Sequence, residues 1–213
     1  MAITREPLTR LRIVELALEI VDGEGLGALN MRRLATEAGV KPMSLYHHFP
    51  NKEAILVEVA ENIAAAALGD PTSRGTWQER TRLLFIGLYE LIESHPRALP
   101  LITTGVLRTP SGRRWMEELM SVLLDAGFSA DQAAGVYHSL GGFTVGLGYA
   151  QLLAHEMPAE DIIGELAGHW ADYPNLMRVG LQLAVWDRPD DFATGLDVLL
   201  AHFARQLGDE AGR

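Results

Sequence analysis

Residues 30–52 read NMRRLATEAGVKPMSLYHHFPNK and contain apolar residues at helical spacing on both sides of Gly39. The apolar positions are Leu34, Ala35 and Ala38 before the glycine and Leu45 and Phe49 after it. Glycine tolerates positive φ, so Gly39 suits a tight turn between two short helices. The pattern therefore predicts a helix-turn-helix, a motif whose second helix can enter a DNA groove.

The first predicted helix begins after Asn30, whose side-chain oxygen can accept a hydrogen bond from a free backbone N–H one turn in. Arg32 and Arg33 follow and, as neighbours, are separated by about 100° around the helix axis. Only one of them can point into a groove while the other lies along the flank. We expect Arg32 to contact DNA.

The second predicted helix has Pro42 in its first turn, where the missing N–H costs nothing. Its polar face suits DNA, because a hydroxyl reaches base edges or phosphates and a thioether can touch a thymine methyl. The residues on that face are Met43, Ser44, Tyr46 and His47. Lys41 and Lys52 add positive charge at the two ends, and Lys52 at the start of the next helix can receive a phosphate.

The string LYHHFPNKE at residues 45–53, preceded by Ala38-Gly39-Val40, resembles the TetR family of bacterial transcription regulators. The resemblance extends from about Leu11 to Leu56. It implies DNA contacts at Arg32, Lys41, Pro42, Met43, Ser44, Tyr46, His47 and Lys52. Of these, Tyr46 and Lys52 would bind phosphate. Lys41 and Met43 depart from the residues common in the family, and these departures bear on the base preference.

The adjacent histidines His47 and His48 raise the question of a metal site, which their spacing disfavours. Neighbours on a helix diverge, whereas zinc ligands on one helix are three or four residues apart, and the sequence has no cysteine. Enzyme motifs such as His-Glu-x-x-His, Gly-x-Ser-x-Gly and Gly-x-x-x-x-Gly-Lys are missing from the sequence as well. We expect no metal, no cofactor and no enzymatic activity.

The net charge of −10 is distributed unevenly along the 213 residues. Residues 1–52 contain seven lysines and arginines against six acidic residues, whereas residues 53–213 contain eleven against twenty-two. An acidic body repels DNA, so binding must depend on a short patch that a dimer presents twice. The sequence has no apolar run of eighteen residues and no N-terminal signal segment, which predicts a cytoplasmic protein that does not span a membrane.

The rest of the chain predicts helices, because strand alternation never persists over five residues. Expected N-caps are Thr76, Ser111 and Ser129, and residues 156–189 are expected to form short helices and a mobile loop. The expected class is all-α. The expected domains are a three-helix helix-turn-helix DNA-binding domain at 1–52, a connector helix and boundary loop at 53–75, and a helical effector-binding and dimerisation domain at 76–213.

The long helix predicted from Ser129 to His155 carries several glycines, each of which costs about 1 kcal/mol relative to alanine. Some lie on one face at a spacing of four, where another helix can approach closely. We expect this helix and the last one, about Asp190 to Leu207, to form the four-helix bundle of a homodimer, unless both are simply buried in the monomer core. The expected interface residues are Gly142, Gly146, Ala150, Leu196, Leu199, Leu200 and Phe203.

The family resemblance also implies a ligand cavity in the helical body. Candidate lining residues for an unknown small-molecule effector are Phe85, Tyr89, Trp115, Met116, Tyr137, His138 and Phe143. Aromatic residues at helical spacing belong to a core more often than to a pocket. The expected function is a repressor that releases a palindromic double-stranded DNA operator when a hydrophobic effector tilts the connector helix. The alternative is a helical adaptor that has kept the scaffold without binding DNA.

Overall fold

The computed structural model describes residues 8–67, 74–156, 173–183 and 191–211. All regular structure in these ranges is helical, which confirms the predicted all-α class. The helices are α1 (Arg10–Glu24), α2 (Met31–Glu37), α3 (Pro42–Tyr46), α4 (Lys52–Ala67), α5 (Trp77–Ser94), α6 (Leu99–Gly105), α7 (Pro110–Asp125), α8 (Ala130–Glu156), α9 (Pro174–Leu183) and α10 (Asp191–Ala211). Short 3₁₀ helices, Pro96–Ala98 and Val106–Arg108, flank α6. Within the same ranges, no helix combines the length and apolar character needed to cross a bilayer.

The chain divides into two compact units, Met1–Ala126 and Gly127–Arg213. In the first unit α4 packs against α1, α5, α6 and α7. α4, which forms most of the predicted connector at residues 53–75, therefore lies in the same compact unit as the helix-turn-helix. Residues 68–73 of the predicted boundary loop lie outside the described part of the chain.

Local capping fixes where most helices begin. The Thr76 side chain accepts from the Glu79 N–H, and the Glu79 side chain accepts from the Thr76 N–H, which forms the capping box of α5. Ser129 caps α8 as predicted, since its hydroxyl oxygen accepts a hydrogen bond from the backbone N–H of Gln132 at 3.3 Å.

The predicted cap at Ser111 is wrong. Thr109 is the N-cap of α7, and its hydroxyl accepts from the Gly112 N–H at 3.0 Å. The helix starts earlier than expected because Pro110 occupies its first position, where a residue without an N–H is tolerated. Ser111 lies inside the helix, so its own N–H and hydroxyl are available to another element.

In the second unit α8 packs against α10 through aromatic side chains. Phe143 stacks on Phe192, with ring centroids 5.6 Å apart and planes 12° apart. Gly195 permits this arrangement, because a Cβ at that position would lie 2.3 Å from the Phe143 ring. Of the irregular segment predicted at residues 156–189, the structure describes Glu156 at the end of α8, Tyr173 and α9. Residues 157–172 and 184–189 lie outside the described ranges.

Candidate nucleic-acid interface

The predicted helix-turn-helix is confirmed by its backbone and its burial. Gly39 has φ +64° at the turn between α2 and α3. The side chains of Leu34, Leu45 and Phe49 are fully buried and Ala35 is nearly so, while α2 packs against both α3 and α1. Burial of this apolar set leaves the polar residues of both helices at the surface.

The first turn of α2 distinguishes its two arginines. Asn30 caps the helix, and its Oδ1 accepts from the backbone N–H groups of Arg32 and Arg33 at 3.1 and 3.0 Å. The Arg33 guanidinium pairs with Glu24 at 2.7 Å and with Glu37 at 2.8 Å. The Arg32 side chain is exposed and forms no ion pair within the described ranges, so its guanidinium is available to a partner.

The reading surface, as we name the polar face of α2 and α3, consists of side chains that are exposed together. Met43 is 67% exposed and Tyr46 is 47% exposed, large fractions for apolar and aromatic residues. Ser44 is half-buried beside them. The exposed members of the set are Arg32, Lys41, Pro42, Met43, Tyr46 and His47. The structure thus brings the sequence-predicted contact residues of α2 and α3 onto one motif, and their DNA contacts remain a prediction.

Lys52, the predicted phosphate ligand, faces the loop between α1 and α2. Its Nζ lies 3.3 Å from the carbonyl oxygen of Leu26, to which it donates. An ammonium has three donors, so two remain for a phosphate. The neighbouring Asn51 caps α4 through its Oδ1, which accepts from the Ala54 N–H at 2.9 Å. One of the free backbone N–H groups at the start of α4 is therefore already satisfied.

Sequence reasoning missed Arg10, the first residue of α1. It contacts residues just beyond α3, which we name the reading helix. Its guanidinium donates to the carbonyl of His48 and to the carboxylate of Glu58 on α4. The same group lies 4.1 Å from the centre of the Phe49 ring. These partners are far from Arg10 in sequence, so no local pattern could have indicated them.

A second missed contact joins the other end of α1 to the segment after α5. His95 Nδ1 and Asp22 Oδ2 are 2.9 Å apart, and Arg97 donates to the carbonyl oxygens of Asp22 and Gly23. The last carbonyls of a helix have no partner within the helix, and a cation near them is also favoured by the helix dipole. Arg97 thus caps α1 from the body of the unit.

A third contact links α4 to α7 through the residue that was predicted to be a cap. The Glu61 carboxylate accepts from the Ser111 N–H at 2.9 Å and from its hydroxyl at 2.7 Å. Burial alone would raise the pKa of Glu61, but hydrogen bonds from Ser111 and Thr109 outweigh it and lower the pKa below its ordinary value. The carboxylate is therefore held in its charged form at the start of α7.

The candidate effector residues of the first unit pack against one another. Phe85 is fully buried and meets Trp115 edge to face, with ring centroids 5.4 Å apart and planes 79° apart. The Trp115 indole N–H donates to the Leu84 carbonyl at 3.2 Å. Tyr89 and Met116 are half-buried. Phe85 and Trp115 are satisfied as core residues in this state, and a role in ligand contact remains a prediction for all four.

The candidate effector residues of the second unit fall into two groups. The rings of Tyr137 and His138 are 5.3 Å apart on α8, with Tyr137 half-buried and His138 exposed. Phe143 is engaged with Phe192 and Gly195, as described above. The aromatic stack explains Phe143 as a packing residue between α8 and α10.

The predicted dimer residues divide into exposed and buried sets. Gly142 and Gly146 are exposed, and a Cβ at either would meet nothing within 4 Å. Ala150 and Leu199 are half-buried, whereas Leu196, Leu200 and Phe203 are buried within the single chain and cannot themselves present an exposed face. We name as the dimer face a set of five exposed residues, Gly142, Gly146, Tyr149 and Leu153 of α8 and Val198 of α10.

Comparisons with known proteins agree with this architecture. Residues 13–59 match the family "Bacterial regulatory proteins, tetR family", and residues 70–207 match the "Tetracyclin repressor-like, C-terminal domain". The chain is 30% identical to the HTH-type transcriptional repressor DrrR1 of Streptomyces coeruleorubidus over 81% of its own length and 64% of that repressor. It is 24% identical to the tetracycline repressor protein class E of Escherichia coli over 93% of its length and 92% of that protein.

Solved structures extend the agreement to the fold. The apo structure of ActR from Streptomyces coelicolor superposes with a TM-score of 0.77 at 28% identity, covering 96% of this chain and 99% of ActR. ActR has also been crystallised in complex with actinorhodin, and that structure gives a TM-score of 0.76 over 95% of this chain and 100% of ActR. With its buried helix-turn-helix core, its exposed reading surface and its matched N- and C-terminal domains, the chain belongs to the TetR family of bacterial transcription regulators.

Proposed function

We propose that the protein is a homodimeric transcriptional repressor that binds a palindromic double-stranded DNA operator and releases it when a small hydrophobic effector binds the helical body. The reading surface is the observation that carries the proposal. It combines an unpaired guanidinium, a phenol, a hydroxyl and an exposed thioether on a helix-turn-helix whose apolar residues are buried. These are groups that contact phosphates and base edges.

Two copies are needed because one reading surface is small. α3 has five residues, and the chain as a whole carries a net charge of −10, which opposes non-specific binding to DNA. A dimer presents two reading helices to half-sites about one helical turn apart. The dimer face on α8 and α10 supplies small and apolar residues that suit close helix packing between protomers.

The proposed route from effector to DNA runs through α4. Glu61 of α4 accepts hydrogen bonds from Ser111 of α7. Glu58 of α4 accepts from Arg10 of α1, which also donates to the His48 carbonyl beyond α3. A change in the arrangement of α5 and α7 around a ligand would shift α4 and change the separation of the two reading helices. The effector must prefer the releasing state, and a typical coupling changes DNA affinity about 5- to 150-fold.

The proposed effector is mainly apolar, with at least one polar group. The structure of ActR with actinorhodin shows that a related regulator binds a small molecule, and the candidate residues of α5 and α7 are largely apolar and aromatic. Within the described ranges, the buried Arg80 Nε and Thr81 hydroxyl have no hydrogen-bond partner. Because buried polar atoms are normally paired, these two atoms suit a polar group of a ligand.

A mobility-shift assay over a salt series tests the DNA-binding proposal. The probe is the DNA adjoining the coding region of the protein, with an unrelated duplex of equal length as the control. We expect the logarithm of the binding constant for the first probe to fall linearly with the logarithm of the salt concentration. The double variant Tyr46→Phe with Lys52→Ala should bind this probe more weakly and with a smaller slope. Binding to neither probe would favour the helical adaptor, whereas equal binding to both would show non-specific association and contradict a specific operator.

The remaining parts of the proposal are that the protein acts in the cytoplasm and is not an enzyme. Family membership supports both parts, since the related proteins are named as transcriptional repressors. Calorimetric titration of hydrophobic small molecules, followed by the mobility shift in the presence of any binder, tests the effector. A binder that leaves operator affinity unchanged would contradict the release mechanism.

A further inference from the structure

We infer that Arg10 is a positioning residue for DNA recognition: it holds the end of the reading helix against α1 and α4, so that the reading surface meets the groove in a single orientation. The inference rests on the proposed DNA-binding function. It assigns a role to a residue that lies outside the helix-turn-helix itself.

The reading helix needs external support because it is short. α3 spans five residues, and a helix of this length is not stable by itself. Its one buried side chain is Leu45, and Phe49, which follows the helix by three residues, is also fully buried. The orientation of so short a helix therefore depends on how the segment that follows Tyr46 is held.

Arg10 contacts that backbone and both neighbouring elements. One nitrogen donates to the His48 carbonyl, which lies beyond the end of α3, and another donates to Glu58 on α4. The guanidinium plane also covers the ring of Phe49 at 4.1 Å. A planar group with several fixed donors can make these contacts together, whereas a lysine ammonium cannot reproduce the fork or the stacking.

The placement of a cation here is explained by these contacts rather than by its own helix. Arg10 is the first residue of α1, where the helix dipole disfavours positive charge. The Glu58 carboxylate and the His48 carbonyl offset that cost. The same carboxylate would repel a phosphate, so the geometry favours a positioning role over direct contact between Arg10 and the DNA backbone.

Arg12 provides a matched control on the same helix. It carries the same charge and is similarly exposed, but its guanidinium pairs with Glu15 and Glu19 of α1, at 3.2 Å in each case. Arg12→Ala therefore removes one positive charge from α1 without removing a contact to the reading helix. Any difference between Arg10→Ala and Arg12→Ala reports on the contacts to His48, Phe49 and Glu58.

The experiment measures dissociation constants by fluorescence anisotropy for a duplex selected with the wild-type protein from a random library, and for an unrelated duplex of equal length. Both are measured over a salt series, with thermal unfolding recorded for each variant. We expect Arg10→Ala to weaken binding to the selected duplex about tenfold or more, with unchanged binding to the unrelated duplex and an unchanged salt slope. Arg12→Ala should bind the selected duplex as tightly as the wild type. Arg10→Lys should bind it as weakly as Arg10→Ala, and this variant keeps the test valid if the alanine variant does not fold.

Three results would overturn the inference. A selected-duplex affinity for Arg10→Ala equal to that of Arg12→Ala would show that the contacts do not orient the helix. Equal losses on both duplexes, with a slope lower by about one and recovery in Arg10→Lys, would identify a phosphate contact instead. Failure to select any duplex with the wild-type protein would remove the proposed function itself, and this outcome is recognisable before any variant is measured.

Discussion

The protein exposes two surfaces of opposite chemistry, the reading surface and the dimer face. The reading surface presents a guanidinium, an ammonium, a phenol and an imidazole, whereas the dimer face presents glycine and apolar side chains. Charged and hydrogen-bonding groups suit a polyanion, while small and apolar groups gain free energy when a second surface excludes water from them. Exposure alone therefore does not identify a partner, whereas the chemistry of the exposed atoms does.

The largest effect is expected from a charge placed on the dimer face. Val198 is 63% exposed in the single chain, and Val198→Asp would leave an unpaired carboxylate in the proposed bundle. We expect the dimer dissociation constant to rise about 100-fold or more, measured by analytical ultracentrifugation. Leu11→Asp adds the same charge to a similarly exposed residue of α1 and should leave the dimer intact. Equal dimer stability in both variants would place the interface elsewhere.

The reading surface is tested by its two neighbouring arginines. Arg32→Ala removes an unpaired cation and should weaken operator binding about tenfold in an anisotropy titration. Arg33→Ala removes the same charge, but that charge is already committed to Glu24 and Glu37. Its loss should change operator binding by less than about threefold and protein stability by about 1 kcal/mol or less. Equal losses in the two variants would contradict the assignment of Arg32.

Two glycines of the second unit distinguish a position that packs within the chain, Gly195, from a position that is exposed in the single chain, Gly146. Gly195→Ala would place a Cβ 2.3 Å from the Phe143 ring and should lower the free energy of unfolding by about 1–3 kcal/mol. The Cβ introduced by Gly146→Ala would have no neighbouring atom within 4 Å in the single chain, so the substitution should stabilise the helix by about 1 kcal/mol. The same Cβ should weaken the dimer. Chemical denaturation and sedimentation of each variant measure the two effects. A dimer unaffected by Gly146→Ala would argue against close packing at this glycine.

The smallest effect concerns the joint between α4 and α7, which lies between the two surfaces along the chain. The pKa of Glu61 is lower in the folded protein than its ordinary value of 4.5, so the charged form stabilises the fold above that pH, and this contribution is lost as the pH falls through the lower folded-state pKa. We expect Glu61→Gln to reduce the Tm at neutral pH and the difference from wild type to shrink on acidification. Thermal unfolding from neutral pH to about pH 3 measures this. A difference that grows on acidification would refute the assignment.

Ser111→Ala tests the cause of that pH dependence. It removes the hydroxyl that donates to Glu61 at 2.7 Å and keeps the backbone donor. In this background the effect of Glu61→Gln should be smaller, because one of the interactions that lower the pKa is already gone. An unchanged effect would show that the hydroxyl contributes nothing.

The features that could be predicted from sequence are those whose partners lie close along the chain. Asn30 caps α2 through residues two and three positions away, and the turn at Gly39 needs a positive φ that glycine provides. Arg10 and Glu58, by contrast, are 48 residues apart, and Asp22 and His95 are 73 apart. Contacts at such separations depend on how the helices pack, which helical periodicity does not specify.

The dimer face shows a different limit of the sequence. Apolar spacing along α10 correctly indicates a buried stripe, and Leu196 and Leu200 lie in it. The same spacing cannot distinguish a stripe that meets its own chain from one that meets a second copy. Val198 and Tyr149 were not among the expected interface residues. Val198 lies on the side of α10 away from Leu196 and Leu200, Tyr149 lies on α8, and only the structure shows that both are exposed.

The way in which Arg97 holds α1 has a consequence for how the protein tolerates mutation. Its acceptors at Asp22 and Gly23 are backbone oxygens, which every residue type provides. Substitution at either position leaves the acceptors in place, whereas the pair between His95 and Asp22 disappears with either side chain. A substitution at Asp22 therefore removes the pair with His95 but keeps the contact with Arg97, so part of the docking of α1 persists while a long cationic side chain occupies position 97.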